Sequence, residues 1–159
     1  MNSMANPSAH AQAVETKLSR SLLVGIAVLS LAGMIVSSIS LERHYAKSAT
    51  SYCEFGEKFN CDIVNRSEYS SVAGIPVSLI GVAGYGVLLT LSTLWRSRPE
   101  TPTRLLMAAA AGLVFALYLT YIEAYVLTTW CILCLTSLAL IASLTALAGV
   151  LKFGLATNS

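Results

Sequence analysis

Four stretches of the chain are almost continuously apolar, and each is long enough to cross a membrane as a helix. A transmembrane helix needs roughly 20 predominantly apolar residues, because the hydrocarbon core of a bilayer is about 30 Å thick. The pattern therefore predicts an all-α fold: an integral membrane bundle of four transmembrane helices that occupies residues 21–153. The predicted spans cover about residues 21–41, 75–95, 104–127 and 130–153.

Polar segments flank and separate the predicted spans. The longest is an outer loop, residues 42–74, between the first and second spans, and residues 1–20 and 154–159 are predicted to be terminal tails. The first apolar stretch has a second interpretation as a secretory signal peptide, since Lys17 and Arg20 precede it. However, it exceeds the roughly 7–15 apolar residues of a signal peptide, and no small-residue cleavage site follows at once. We therefore expect it to span the membrane.

The composition excludes a soluble domain. Of the 159 residues, 55% are hydrophobic and only 11% are charged, with a mean hydropathy of +0.69, whereas soluble domains contain about 25% charged residues. The net charge of +2 is too small to favour nucleic-acid binding. The two histidines, His10 and His44, lie outside any spacing that is typical of metal ligands, so no metal site is predicted.

Basic residues predict the orientation of the four spans. The short turn between the second and third spans, "RSRPETPTR", carries three arginines. Lys17 and Arg20 precede the first span, and Lys152 lies at the end of the fourth. Because cytoplasmic loops carry an excess of lysine and arginine, this turn and both termini are predicted to be cytoplasmic. The outer loop and the tight turn at residues 128–130 then face outward.

All four cysteines fall on the predicted outer side. Cys53 and Cys61 lie in the outer loop, and Cys131 and Cys134 open the fourth span. An extracytoplasmic face tolerates disulfide bonds. Residues three apart share one face of a helix, and the amides and dipole of a helix N-terminus favour a thiolate. A pair with one sulfur near water and the other nearer the apolar interior suits electron transfer from an aqueous thiol to a lipid-soluble acceptor.

The two cysteine pairs are compatible with three kinds of chemistry. A flexible outer pair, C-x7-C, is suited to thiol–disulfide exchange with a partner protein and with the C-x-x-C pair. Four cysteines also form zinc sites, although only the C-x-x-C pair has a zinc-like interval. A third alternative is a tetraspan structural or assembly protein with two static disulfides. Static bonds would leave unexplained why a C-x-x-C pair opens a transmembrane helix.

The order of these motifs is similar to that of a known family. The succession of C-x7-C, "SSVAGIPVSLIGVAGYG" and "YLTYIEAYVLTTWCILC" resembles the vitamin K epoxide reductase family, and most closely its bacterial, disulfide-forming members. The resemblance implies two redox-active disulfides, Cys53–Cys61 and Cys131–Cys134. It also implies that electrons pass from a thioredoxin-like oxidase to Cys53, from Cys61 to Cys131, and from Cys134 to a quinone such as ubiquinone or menaquinone.

The resemblance further implies a location and a partner. The chain would lie among the lipids of the bacterial inner (plasma) membrane, with its active site facing the periplasm. Some bacterial members carry a fused thioredoxin-like domain, which this sequence does not contain, so the partner would be a separate periplasmic protein. Animal members have a tyrosine and an asparagine where this sequence has Leu138 and Ser70. These differences disfavour vitamin K epoxide as the substrate, and a vitamin K epoxide or quinone reductase of the same family remains the alternative.

Residues near the level of the C-x-x-C pair define a predicted quinone pocket. Glu123 is the one acidic residue inside a predicted span, and such residues are functional candidates; the alternative is an interfacial carboxylate that faces water. Tyr118 lies on one helix face with two further tyrosines and is predicted to face the bundle interior. Ser67 is similar to a loop serine near the family's active site. The full predicted pocket comprises Ser67, Ser70, Gly74, Tyr118, Tyr121, Glu123 and Leu138.

Overall fold

The structure, a computed structural model, describes residues 7–46, 56 and 58–156 of the chain. Cys53, one of the four predicted redox cysteines, lies outside the described residues. The described part is mostly helical. Its α-helices, in chain order, are α1 (Pro7–Tyr45), α2 (Cys61–Asn65), α3 (Val77–Thr93), α4 (Thr101–Ile122) and α5 (Ile132–Ala156).

Within the described residues, three helical segments are long and apolar enough to cross a membrane. These are Gln12–Tyr45, Thr101–Leu127 and Ile132–Gly154, and the 17-residue α3 is a shorter apolar helix. The predicted helical membrane fold is confirmed in this form. Helix α1 extends beyond the predicted span 21–41 at both ends, because the alanine, glutamine, glutamate, lysine and arginine residues that flank the apolar run are strong helix formers.

The core of the bundle lies where α1, α3, α4 and α5 meet. Ile26, Leu88, Leu105 and Leu144 are almost fully buried there, one from each of these four helices. In a bilayer, helix association depends on close packing rather than on the exclusion of water. Helix α1 packs along α3 and α5, and α4 packs along α5, whereas α3 and α4 pack less closely. Space therefore remains between α3 and α4, and it forms part of the cavity described below.

The segment between α1 and α3 folds back over one end of the bundle. After α2 it forms a 3-10 turn (Glu68–Ser70) and an antiparallel hairpin of two short strands, β1 (Ser71–Val72) and β2 (Ile75–Pro76). Gly74, in the hairpin turn, has a φ of +81°, a left-handed conformation that glycine adopts without a steric penalty. The predicted outer loop therefore contains short ordered elements, of which α2 carries Cys61.

The close packing of α1 against α3 depends on Gly33. The ring of Tyr85 lies directly against this residue, and a Cβ atom there would lie 2.3 Å from Tyr85 Cε1. Since carbon atoms in contact are about 3.5–4.0 Å apart, no larger residue fits without displacing the ring. The Tyr85 hydroxyl donates a hydrogen bond to Ser137 O at 2.9 Å. This one side chain therefore joins α1, α3 and α5.

We expect Gly33→Ala to lower the free energy of unfolding by about 1–3 kcal/mol, the usual effect of overpacking a core. Gly25→Ala on the same helix is the matched control, because its Cβ would lie 3.8 Å from Leu147 Cδ1, an ordinary contact, and alanine is the better helix former by about 0.5–1 kcal/mol. Thermal unfolding in detergent measures both variants. Equal unfolding temperatures for the two would contradict the role assigned to Gly33.

Candidate functional site

A short backbone bridge joins the outer segment to the turn before α5. Asn60 N donates to Trp130 O at 3.1 Å, and Trp130 N donates to Lys58 O at 2.8 Å, so the two segments pair in parallel. The next residues along the two segments are Cys61 and Cys131. The bridge therefore places these two cysteines side by side, although they are far apart in the sequence.

Helix α2 begins at Cys61 because Asn60 caps it. The Asn60 side chain accepts hydrogen bonds from Asp62 N at 3.0 Å and from Ile63 N at 3.1 Å, which satisfies amides that have no partner within the helix. Asp62 also places an acidic residue in the first turn, where the helix dipole is positive. Cys61 is fully buried. The cap therefore fixes the position of a sulfur that solvent does not reach.

The thiol of Cys131 lies between two other cysteine side chains. It is fully buried and is hydrogen-bonded to the side chains of both Cys61 and Cys134. Cys131 and Cys134 are free thiols in the structure. Cys134 is only partly buried and lines the cavity described below. Cys61, Cys131 and Cys134 pack in one cluster, so both of the other cysteine side chains are neighbours of Cys131.

Glu123 contacts the C-x-x-C pair from the end of α4. Its side chain is only 2% exposed. Its Oε2 atom accepts a hydrogen bond from Cys131 N at 3.1 Å, and its carboxyl group is also hydrogen-bonded to the Cys134 side chain. The residue opens a π-helical turn, Glu123–Leu127. Such turns are rare in proteins, and those that occur are frequently at functional sites. The interpretation of Glu123 as an interfacial carboxylate that faces water is therefore wrong.

The surroundings of Cys131 disfavour its thiolate in this arrangement. The hydrogen bond with Cys134 raises the pKa of the Cys131 thiol above its ordinary value, the hydrogen bond with Cys61 lowers it, and burial raises it again, for a net increase. Its backbone N–H is already donated to Glu123. An ionised Cys131 needs a further hydrogen-bond donor.

Asn65 is a residue of the site that the sequence pattern does not single out. Its Nδ2 atom donates toward Cys131 Sγ at 4.0 Å, and its Oδ1 atom accepts a hydrogen bond from Ser40 Oγ on α1 at 2.7 Å. His44 Nδ1 donates to Asn65 O at 2.6 Å. The available sequence signal was its spacing: Asn65 follows Cys61 by four residues, so the two side chains share one face of a helix.

A mostly apolar cavity of about 370 Å³ lies between α1, α3, α4 and α5. Cys134 and Glu123 line it at the level of the C-x-x-C pair, and Tyr85 and Ser137 line it elsewhere along α3 and α5. The hydroxyl groups of Tyr85 and Ser137 are hydrogen-bonded to each other at 2.9 Å. Ligand pockets usually measure about 300–1,000 Å³ and combine apolar walls with a few polar groups. The cavity therefore has the size and chemistry of a small-molecule site.

The predicted pocket residues divide into two groups. Those that line the cavity are Ser67, Ser70 and Glu123. Those that lie outside its lining are Gly74, Tyr118, Tyr121 and Leu138. The structure therefore brings the two loop serines and the buried acid together with Cys134, and it does not bring the other four residues to the same space.

Two tyrosines of α4 lie on the outer surface of the bundle. Tyr118 and Tyr121 are 56% and 59% exposed. The face of α4 that lines the cavity is formed instead by residues such as Phe115, Leu119 and Ile122, and neither tyrosine is part of the lining. The prediction that Tyr118 faces the bundle interior is therefore wrong.

A comparison with known families covers nearly all of this site. A profile of the vitamin K epoxide reductase family matches residues 24–148, a range that contains Cys61, Glu123 and the C-x-x-C pair. The chain belongs to the vitamin K epoxide reductase family. Together with its apolar helices, membership of this family makes the chain a membrane protein with a redox function.

An oxidoreductase of the vitamin K epoxide reductase family needs groups that exchange electrons and protons. Cys61, Cys131 and Cys134 form a hydrogen-bonded series of sulfur atoms, and sulfur atoms in such contact are able to exchange electrons through disulfides. Glu123 lies at the end of the series and is able to exchange protons. The series ends at the cavity, where a small molecule has room to bind.

The Asn60 cap has a measurable consequence for α2. We expect Asn60→Ala to remove both capping hydrogen bonds and to destabilise the helix by about 0.5–2 kcal/mol. Hydrogen–deuterium exchange of the amides of residues 62–66 should then become about 2- to 30-fold faster. Asn60→Asp keeps an acceptor oxygen and should exchange at nearly the original rate. Indistinguishable exchange in Asn60→Ala and the unaltered protein would show that the cap does not hold α2.

Proposed function

We propose that the protein is a quinone-dependent thiol–disulfide oxidoreductase that supports disulfide-bond formation. It passes electrons from a separate periplasmic thioredoxin-like protein through Cys53 and Cys61 to Cys131 and Cys134, and from there to a quinone. Its four apolar helices span the bacterial inner membrane, with both termini in the cytoplasm and the cysteines on the periplasmic side. Family membership supports a membrane redox function in general, and the contacts among the cysteines support this particular route.

The observation that carries the proposal is the contact of Cys131 with two sulfur atoms at once. Its side chain is hydrogen-bonded to those of Cys61 and Cys134. Thiol–disulfide exchange proceeds when one sulfur attacks a second and displaces a third, so it requires three sulfur atoms in contact around a central one. A static disulfide requires only two. The arrangement therefore favours exchange over a pair of structural disulfides.

The order of the sulfur atoms determines the order of the exchange steps. Starting from the Cys131–Cys134 disulfide, the Cys61 thiolate attacks Cys131 Sγ, a Cys61–Cys131 bond forms, and Cys134 leaves as a thiolate. The Cys53 thiolate then attacks Cys61 Sγ, which forms the Cys53–Cys61 disulfide and releases Cys131 as a thiolate. The two electrons now reside on Cys131 and Cys134. The Cys53–Cys61 disulfide in turn oxidises the dithiol of the thioredoxin-like partner.

The cavity fits a quinone as the electron acceptor. A quinone is a flat, largely apolar ring with two carbonyl oxygens, and the cavity combines apolar walls with the hydroxyl groups of Tyr85 and Ser137 and the carboxyl group of Glu123. The side chain of Cys134 lines the same space. A quinone bound there accepts two electrons as Cys131 and Cys134 form a disulfide, together with the proton of the Cys134 thiol and a second proton from solvent.

Glu123 carries the proton that accompanies electron transfer at Cys134. Its carboxyl group is buried, lines the cavity and is hydrogen-bonded to the Cys134 side chain. In its protonated form it gives a proton to the Cys134 thiolate as that sulfur leaves the disulfide, and as a carboxylate it takes the proton back when the dithiol is reoxidised. Its hydrogen bond with Cys134 places the carboxyl group where this proton has to move.

Replacement of Cys134 tests the proposed route. We expect Cys134→Ala to abolish anaerobic reduction of ubiquinone or menaquinone by purified protein supplied with a reduced thioredoxin-like partner, because the dithiol is lost. Cys131 is then left in contact with Cys61, so peptide mapping under oxidising conditions should detect a Cys61–Cys131 disulfide. Thr136→Ala changes an exposed neighbour on α5 and should keep full activity. Undiminished quinone reduction by Cys134→Ala would overturn the proposed function.

Replacement of Glu123 separates its proton transfer from its hydrogen bonds. Glu123→Gln keeps an oxygen that accepts the Cys131 N–H but holds no transferable proton. We expect quinone turnover to fall by about 100-fold or more, a typical loss for a general acid–base group. Glu68→Gln changes an exposed acid of the outer segment, and its quinone turnover should be close to that of the unaltered protein. Normal turnover in Glu123→Gln would mean that the carboxyl group only positions Cys131, contrary to the proposal.

A further inference from the structure

We propose that the carboxamide of Asn65 stabilises the thiolate of Cys131, and that Ser40 on α1 is the positioning residue that directs the carboxamide at the sulfur. This inference rests on the proposed function for its place in the electron route. It assigns a catalytic contact to a residue outside the four cysteines and the buried acid, and it gives α1 a part in the chemistry as well as in the fold.

Two contacts involve the carboxamide of Asn65, and a third holds its backbone. Ser40 Oγ donates to Asn65 Oδ1 at 2.7 Å, and Asn65 Nδ2 faces Cys131 Sγ at 4.0 Å. His44 Nδ1 donates to Asn65 O at 2.6 Å, which holds the C-terminal end of α2 against α1. Ser40 and Asn65 are both buried. With its oxygen occupied by the serine hydroxyl, the carboxamide presents its N–H groups to the sulfur.

A thiolate at Cys131 requires such a donor. The side chain is fully buried, and an ionised group away from water is strongly destabilised unless hydrogen-bond donors surround it. Among the described residues, the titratable groups that contact Cys131 are Cys61 on α2, Cys134 on α5 and Glu123 at the end of α4. Each of these is negative when it is ionised. The side-chain hydrogen bond with Cys134 and burial raise the pKa of the Cys131 thiol, whereas the hydrogen bond with Cys61 lowers it, for a net increase. The amide of Asn65 is a neutral donor that offsets this effect.

The donor acts in the two steps in which Cys131 carries a negative charge. When the Cys53 thiolate attacks Cys61 of the Cys61–Cys131 disulfide, the electron pair of the broken bond remains on Cys131 Sγ, and the Asn65 N–H groups bond to this leaving sulfur. Cys131 is next the thiolate that closes the disulfide with Cys134 as two electrons pass to the quinone. We expect the 4.0 Å contact to shorten in both steps, because hydrogen bonds to charged groups are shorter.

The test is a titration of Cys131 in the full-length protein. Cys53, Cys61 and Cys134 are replaced by alanine, the Cβ atom of the remaining cysteine is isotopically labelled, and its NMR shift is followed with pH in detergent micelles. Asn65→Leu keeps the approximate shape of the side chain and removes the donor. We expect the ratio of thiolate to thiol at a given pH to fall by roughly tenfold or more, the effect of one hydrogen bond to a charged group.

Variants of α1 separate the positioning role from a general structural one. Ser40→Ala leaves the carboxamide without its fixed partner and should lower the thiolate ratio, though less than Asn65→Leu. Ser40→Thr retains the hydroxyl group and should restore the original titration. Ser38→Ala is the matched control, because this exposed serine donates only within its own helix, to Met34 O, and its loss should leave the titration unchanged.

The outcomes are distinct. An unchanged titration in Asn65→Leu would overturn the proposal, as would equal shifts in Ser40→Ala and Ser40→Thr. If Asn65→Leu does not fold, the two Ser40 variants decide the matter alone. The titration involves neither a quinone nor a partner protein, so its failure would leave the proposed function standing. Conversely, failure of the unaltered protein to reduce a quinone would overturn the proposed function without affecting the titration.

Discussion

The chemistry of this protein depends on two backbone hydrogen bonds between segments that are far apart in the sequence. They join Lys58 and Asn60 to Trp130 and so set the distance of Cys61 from Cys131. Disulfide exchange tolerates little displacement, because the bond that forms has a fixed length and a narrow range of Cβ separations. Backbone pairing meets this demand directly, since it fixes both segments of the chain at the residue before each cysteine. The Asn60 cap then fixes the direction in which α2 leaves the bridge.

Burial protects the site and also creates its main energetic difficulty. Cys61 and Cys131 are fully buried and Glu123 is nearly so, which keeps water and small thiols away from the exchanging sulfur atoms. Ionised groups in such surroundings require hydrogen-bond partners. The protein supplies them as a continuous series from Cys61 through Cys131 and Cys134 to Glu123. The contact with Cys134 and burial nevertheless raise the pKa of the Cys131 thiol, so a negative charge on Cys131 depends on the neutral donor that Asn65 supplies.

The sequence alone predicts the features that depend on apolar length and on cysteine spacing. The apolar runs predict the membrane helices, and the two cysteine pairs predict that a sulfur of the outer loop reaches the C-x-x-C pair. That Cys61 is this sulfur is what the resemblance to the family implies. The sequence does not distinguish the inward face of α4 from its lipid-facing side, because both are apolar and the helix lacks the polar stripe of a soluble helix. For this reason the pattern wrongly predicts that Tyr118 faces inward. The sequence also does not predict the contact of Asn65 with Ser40, because this contact depends on how α2 folds back onto α1.

The shape of the cavity and the stability of the bundle depend on the same side chain. Tyr85 packs against Gly33, bonds to Ser137 and lines the cavity. Ser137 follows Cys134 by three residues, so the two share one face of α5, and the tyrosine hydroxyl lies one helical turn from the sulfur proposed to reduce the acceptor. Any change that moves this ring alters both the acceptor site and the contact of α1 with α3. At Gly84 an added Cβ meets no atom within 4 Å among the described residues. A substitution that adapts the cavity to a different acceptor is therefore easier to accommodate at Gly84 than at Tyr85.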